Sequence, residues 1–191
     1  MAEIPDSTLI SWAKAGRAAG FEQLVARYDR FAFTLALRVV KRREQAEEVA
    51  QDSFMKAFRG IGEWRGEGKF STWLYRIVFT TALNSMRKNS LETRSMDETT
   101  RPFQLSDDQP TALEHLENEW ETGRIQAALE ALSPDDAAIL TLFYLNEQSL
   151  EEAGEILQIS ANTAKTRLCR ARQRMKTLVE TRFKTEFQEW V

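Results

Sequence analysis

Arginine, asparagine and threonine recur along one side of the stretch Ser149–Lys176, SLEEAGEILQISANTAKTRLCRARQRMK, and these are the side chains that read base edges in a DNA groove. Asn162, Thr166 and Arg170 are spaced i, i+4, i+8. Lys165, Arg167, Arg172, Arg174 and Lys176 flank them with no acid between. Two elements must position this set. Ser149 and Glu152 form a capping box for a first helix, in which Leu150, Ala153, Ile156 and Leu157 share a face. Gln158 to Ser160 make a short turn with Ile159 pointing inward, and Ser160 caps a second helix. There Ala164, Leu168, Ala171 and Met175 are the apolar stripe, and the polar set faces outward. The pattern predicts a helix-turn-helix whose second helix enters the major groove. The competing reading is a helical hairpin with a solvated basic face.

The rest of the chain limits what this hairpin serves. The 191 residues include 42% hydrophobic and 29% charged ones, which suits one ordinary domain or two small ones. A formal net charge of −3 is unusual for an autonomous DNA binder, whose affinity comes largely from phosphate neutralisation. Affinity must then come from local basic faces and a partner's help. One cysteine and one histidine rule out an internal disulfide and a thiolate or imidazole metal cluster, so no cofactor is expected. No apolar run is long enough to span a bilayer, and the N-terminus lacks a signal peptide's pattern, which predicts a cytoplasmic protein.

In order, Asp6 or Ser7 caps a short helix with Leu9, Ile10 and Trp12, and a longer helix from about Gly20 keeps one apolar face to Val39. Lys41, Arg42 and Arg43 mark the next bend. A helix from about Glu44 to Arg59 buries Val49, Phe54 and Ala57 and leaves Glu47, Glu48, Gln51 and Asp52 outward. GIGEWRGEGK, with Trp64 and Arg65, is a glycine-broken loop. FSTWLYRIVFTTALNSMRK is the next helix. Its core face is Trp73, Leu74, Ile77, Val78 and Thr81, and a second stripe runs Arg76, Thr80, Leu83, Arg87 with Tyr75 and Phe79 beside it. Aromatic and arginine side chains on one exposed helix suit unpaired bases, though the same aromatics could pack in a small core. Asn89 to about Gln109 is acidic and aperiodic, as a linker is, and His115 beyond it is read as a surface residue. Ser133, Pro134 and Asp136 restart helical structure as cap, first-turn proline and acid. Phe183, Phe187 and Trp190 make the tail amphipathic.

The succession AEEVAQDSFMKAFRGIGEWRGEGKFSTWLYRIVFTTALNSMRK, then LSPDDAAILTLFYLNEQSLEEAGEILQISANTAKTRLCRARQRMK, resembles bacterial sigma factors of the extracytoplasmic-function group of the sigma-70 family, from about Leu9 to Met175. The resemblance implies an all-α fold: an N-terminal domain (1–92), a flexible acidic linker (93–112), and a C-terminal domain (113–191) with the helix-turn-helix. It implies a protein that is not an enzyme but binds core RNA polymerase, at the β′ clamp helices and β flap, and directs promoter-specific initiation. Glu47, Glu48, Gln51 and Asp52 would dock on polymerase. Trp64, Arg65, Phe70, Arg76, Phe79, Thr80, Leu83, Asn84 and Arg87 would open the minus-ten element. Asn162, Thr163, Lys165, Thr166, Arg167 and Arg170 would read the minus-thirty-five element. Thr80 stands where related sequences often carry Asn, losing an amide that could donate and accept. An anti-sigma factor, in some members membrane-anchored, is the implied regulator. The alternative is a helix-turn-helix activator of the response-regulator or quorum type, which should carry an α/β domain in front, and the first half has no strand pattern.

Overall fold

The computed structural model describes residues 4–93 and 125–187. The expected linker, His115 and Trp190 fall outside them, apart from Thr93, which ends a helix. Every regular element among the described residues is helical, with no strand. The first body holds α1 (Asp6–Lys14), α2 (Ala18–Val40), α3 (Arg43–Gly60) and α4 (Phe70–Thr93). The second holds α5 (residues 125–131), α6 (Pro134–Leu140), a π turn (Thr141–Leu145), α7 (Leu150–Leu157) and α8 (Ala161–Phe187).

Local sequence explains most boundaries. Ser133 Oγ accepts from the Asp136 N–H with Pro134 in the first turn, so α6 starts where cap and proline dictate. Both bonds of the Ser149–Glu152 capping box form. α1 departs from expectation: Pro5 occupies the cap position without a side-chain bond, and the Asp6 carboxylate instead accepts from Arg27 and Tyr28 of α2. Gly20 lets α1 and α2 cross closely, because a Cβ there would lie 2.6 Å from the Leu9 carbonyl oxygen. Lys41 ends α2 in a left-handed conformation, φ 61°. α4 runs five residues beyond the expected Lys88, and the second helix of the helix-turn-helix continues through the tail to Phe187, 27 residues in all.

Leu9, Leu24, Leu35, Val39, Leu74 and Val78 fill the first core, each almost wholly buried. Ile139, Leu142, Ile156, Ala164 and Ala171 fill the second. The two bodies are in contact, α6 and the π turn lying against α2 and α7 against α4.

Candidate functional site

α8 presents the helix-turn-helix face as its stripes require. Ala164, Leu168 and Ala171 are buried, and Asn162, Thr163, Lys165, Thr166 and Arg170 are exposed. Ser160 Oγ accepts from the Thr163 N–H at 3.2 Å, which fixes the start of the helix. Gly154 makes the turn tight: its carbonyl accepts from the Ile159 N–H at 2.9 Å, and a Cβ there would stand 2.8 Å from the Ile159 carbonyl oxygen.

Sequence reasoning missed that acids from another helix reach this basic face. Asp135 holds half-buried Arg167 at 2.8 Å, and buried Asp136 pairs with Arg174. A polar cleft of about 290 Å³ opens between the first turn of α6 and α8, with Arg170 on its wall. Arg167 is therefore tethered, whereas Arg170 has no ion pair among the described residues. Asp136 was read in sequence only as the first-turn acid after the Ser133 cap, and Asp135 was not singled out; their aim at α8 depends on helix packing.

On α3, Glu47, Glu48, Gln51 and Asp52 are all exposed, with Arg43 Nε 3.0 Å from Glu47. The face continues into apolar surface that the sequence reading did not single out. Met55 is 51% and Phe58 53% exposed, so an acidic stripe ends in a greasy patch. Their i, i+4, i+7 spacing from Gln51 is the signal that could have found them.

The expected minus-ten face divides. Arg65, Arg76, Asn84 and Arg87 are exposed, and Thr80 and Leu83 half-buried. Trp64 is half-buried, its ring 5.9 Å from Phe70 and 6.2 Å from Trp73, with the Lys14 ammonium 5.5 Å from its centroid. Phe70 and Phe79 are corrections: each is only 4% exposed and belongs to the core. α4 packs against α2, α3 and α7 at once, so two of its sides are buried, and the stripe with Tyr75, Phe79 and Ala82 is a core seam, not a stacking platform. The Thr80 hydroxyl donates to the Arg76 carbonyl at 2.7 Å and accepts from Gln158 Nε2 at 3.5 Å.

Among the described residues, no group of His, Cys, Asp and Glu could hold a metal ion, and no helix is long and apolar enough to cross a membrane. The surfaces are thus one helix with a basic polar face, one with an acidic face that runs into apolar surface, and a third with a row of arginines.

Comparison with known proteins matches two separate segments of the chain. Residues 24–92 match the model for sigma-70 region 2, and residues 122–175 that for sigma-70 region 4. The chain is 30% identical to an extracytoplasmic-function RNA polymerase sigma-E factor of Haemophilus influenzae over 185 residues, covering 93% of this chain and 97% of that one. It is 29% identical to the RNA polymerase sigma-H factor of Pseudomonas aeruginosa, covering 88% and 90%. The fold is similar to the sigma factor RpoE of Bartonella quintana, solved with the anti-sigma factor NepR (TM-score 0.71, 23% identity, 84% and 97% covered). It is also similar to CnrH, solved with the cytosolic domain of CnrY (TM-score 0.64, 23% identity, 92% and 97% covered). Two family segments in order and relatives matched over nearly their whole length place this chain in the family of extracytoplasmic-function RNA polymerase sigma factors.

Proposed function

We propose that this sigma factor divides its work among three helix faces. α3 docks on the β′ clamp helices of core RNA polymerase through Glu47, Glu48, Gln51 and Asp52. α4 and the loop before it hold the opened minus-ten strand through Trp64, Arg65, Arg76, Thr80, Leu83, Asn84 and Arg87. α8 reads the minus-thirty-five element through Asn162, Thr163, Lys165, Thr166, Arg167 and Arg170, with its body on the β flap. Phe70 and Phe79 support the α4 surface from below rather than touching bases.

The observation that carries this reading is the face of α8. Asn162, Thr166 and Arg170 stand exposed over buried Ala164, Leu168 and Ala171, as a groove-reading helix requires. With a net charge of −3 the free chain gains little from phosphate contacts in general. Polymerase raises the effective concentration of each domain at its own promoter element, which supplies the missing affinity. The chain contributes no catalysis of its own; nucleotide transfer belongs to polymerase, and the work is done in the cytoplasm. The domains fall at 1–92 and 113–191, with the acidic segment 93–112 as their tether.

The sigma factor RpoE of similar fold was solved with the anti-sigma factor NepR, and CnrH, also of similar fold, with the cytosolic domain of CnrY. By analogy an anti-sigma factor, free or membrane-anchored, holds this chain inactive.

Co-purification with bacterial core RNA polymerase tests the reading. Wild-type chain should elute with core in gel filtration, and a Gln51→Ala/Asp52→Ala double variant should elute apart from it at the same concentrations. Equal retention of both would remove α3 from the docking surface.

A further inference from the structure

We propose that Asp135 is a specificity-determining residue: together with Asp136 it takes up the two outer arginines of a row on α8 and leaves the central one, Arg170, to meet DNA. This rests on the reading of α8 given under Proposed function. Arg167, Arg170 and Arg174 stand at i, i+3 and i+7, and all three line the cleft between α8 and the first turn of α6. Three guanidinium groups side by side would be a general phosphate trap, because arginine grips phosphate oxygens whatever the base sequence beside them. The packing of α6 prevents that. Asp135 Oδ2 lies 2.8 Å from Arg167 Nη1, and Asp136 pairs with Arg174. Arg170, between them, is exposed and has no ion pair among the described residues.

The two pairs do different things. The Asp136 side chain is only 5% exposed, and its backbone N–H donates to the Ser133 cap, so its bond to Arg174 ties the start of α6 to α8 below the surface. The Asp135 side chain is 46% and that of Arg167 27% exposed, which puts this pair at the rim, where a phosphate can compete for the guanidinium. A rim pair adds little to stability. Its effect is on choice of site. A phosphate that captured Arg167 would leave the Asp135 carboxylate uncompensated beside the duplex, and like charges brought together penalise that docking. A site whose bases suit Asn162, Thr166 and Arg170 is met with Arg167 still held. Asp135 therefore weakens sequence-blind binding more than sequence-directed binding. It acts through Arg167, as a positioning residue, without touching a base.

Salt-dependent duplex binding by the full chain tests this with two probes: a pool of short random duplexes, and the duplex that the wild-type chain enriches most from that pool. Asp135→Asn should raise affinity for the pool about fivefold at low salt and steepen the fall of log K with log[salt] by about 0.9, the increment for one further phosphate contact. Affinity for the enriched duplex should change less than about twofold, so discrimination falls. A misfolded variant would lose binding rather than gain it. Asp135→Glu, which keeps the charge, should behave as wild type. In an Arg167→Gln background, Asp135→Asn should leave the slope unchanged, because no guanidinium remains to be released. An Asp135→Asn chain with wild-type slope and discrimination would overturn the proposal. So would an equal steepening with and without Arg167, which would make Asp135 a bare charge and not a tether. A wild-type chain that enriches no duplex would overturn the reading of α8 under Proposed function and this proposal with it, a result distinct from loss of the Asp135 effect alone.

Discussion

Gly154→Ala is the sharpest perturbation of the helix-turn-helix that the geometry offers. The added Cβ would meet the Ile159 carbonyl oxygen at 2.8 Å, with the Ala161 nitrogen at 3.4 Å and the Ser160 carbonyl carbon at 3.5 Å. These are backbone atoms, and the Ile159 N–H is already bonded to the Gly154 carbonyl at 2.9 Å, so the turn cannot yield by rotating a side chain. Reaching ordinary contact needs α7 and the start of α8 to separate by about 0.6 Å, from 2.8 to 3.4 Å. Overpacking of this kind costs roughly 1–3 kcal/mol, and a carbonyl that cannot move puts the site near the upper end. Replacing a helical glycine returns about 1 kcal/mol of propensity. The net expectation is a loss of about 1–2 kcal/mol in urea unfolding of the full chain, with specific duplex binding reduced because α8 is re-aimed. Gly62→Ala is the control, since a Cβ there meets nothing within 4 Å, and should change stability by less than about 0.5 kcal/mol. A Gly154→Ala protein as stable as wild type would refute the idea that the close turn sets the position of α8.

Three further outcomes are expected. Phe79→Ala should cost about 3–5 kcal/mol of stability as a core deletion, whereas Arg76→Ala should cost less than about 0.5 kcal/mol; a stable Phe79→Ala protein deficient only in single-strand binding would return Phe79 to the surface. Arg170→Ala should weaken specific duplex binding by ~1–3 kcal/mol if the guanidinium bonds a guanine edge, and an equal loss on scrambled DNA would make it a phosphate contact instead. Burial pushes the Glu152 carboxyl up, but the bonds from Lys69 and the Ser149 N–H outweigh it and hold the group below the usual glutamate range. A depressed carboxylate contributes stability above its unfolded pKa and loses it as pH falls through the folded one, so the stability gap between wild type and Glu152→Gln should stand at pH 7 and close below about pH 4.3. A gap unchanged at pH 3 would contradict that sign.

How much of this was legible in the sequence follows from how local each signal is. Caps are local: Ser133 with Pro134, Ser149 with Glu152, and Ser160 each started a helix where read. The α8 stripe was legible because that helix is covered on one side only, so apolar spacing and burial coincide at Ala164, Leu168 and Ala171. α4 defeated the same logic. Packed against three helices, it buries Tyr75 and Phe79 as well as Leu74 and Val78, and periodicity cannot tell a second core seam from an exposed aromatic platform. The π turn at Thr141–Leu145 has no composition signal, and it leads into buried Asn146 and Gln148, the second of which accepts from Thr72 of α4. The salt bridges of Asp135 to Arg167 and Lys69 to Glu152 join residues far apart in the chain, so only the packed fold reveals them.

The central claim is that this chain, on polymerase, chooses where transcription begins. Run-off transcription with bacterial core enzyme on a library of promoter fragments tests it directly. Discrete transcripts should appear only when the chain is added, from fragments sharing two short elements at fixed separation, and should vanish when that separation is changed by half a helical turn. A core enzyme whose products are the same with and without the chain would contradict the account.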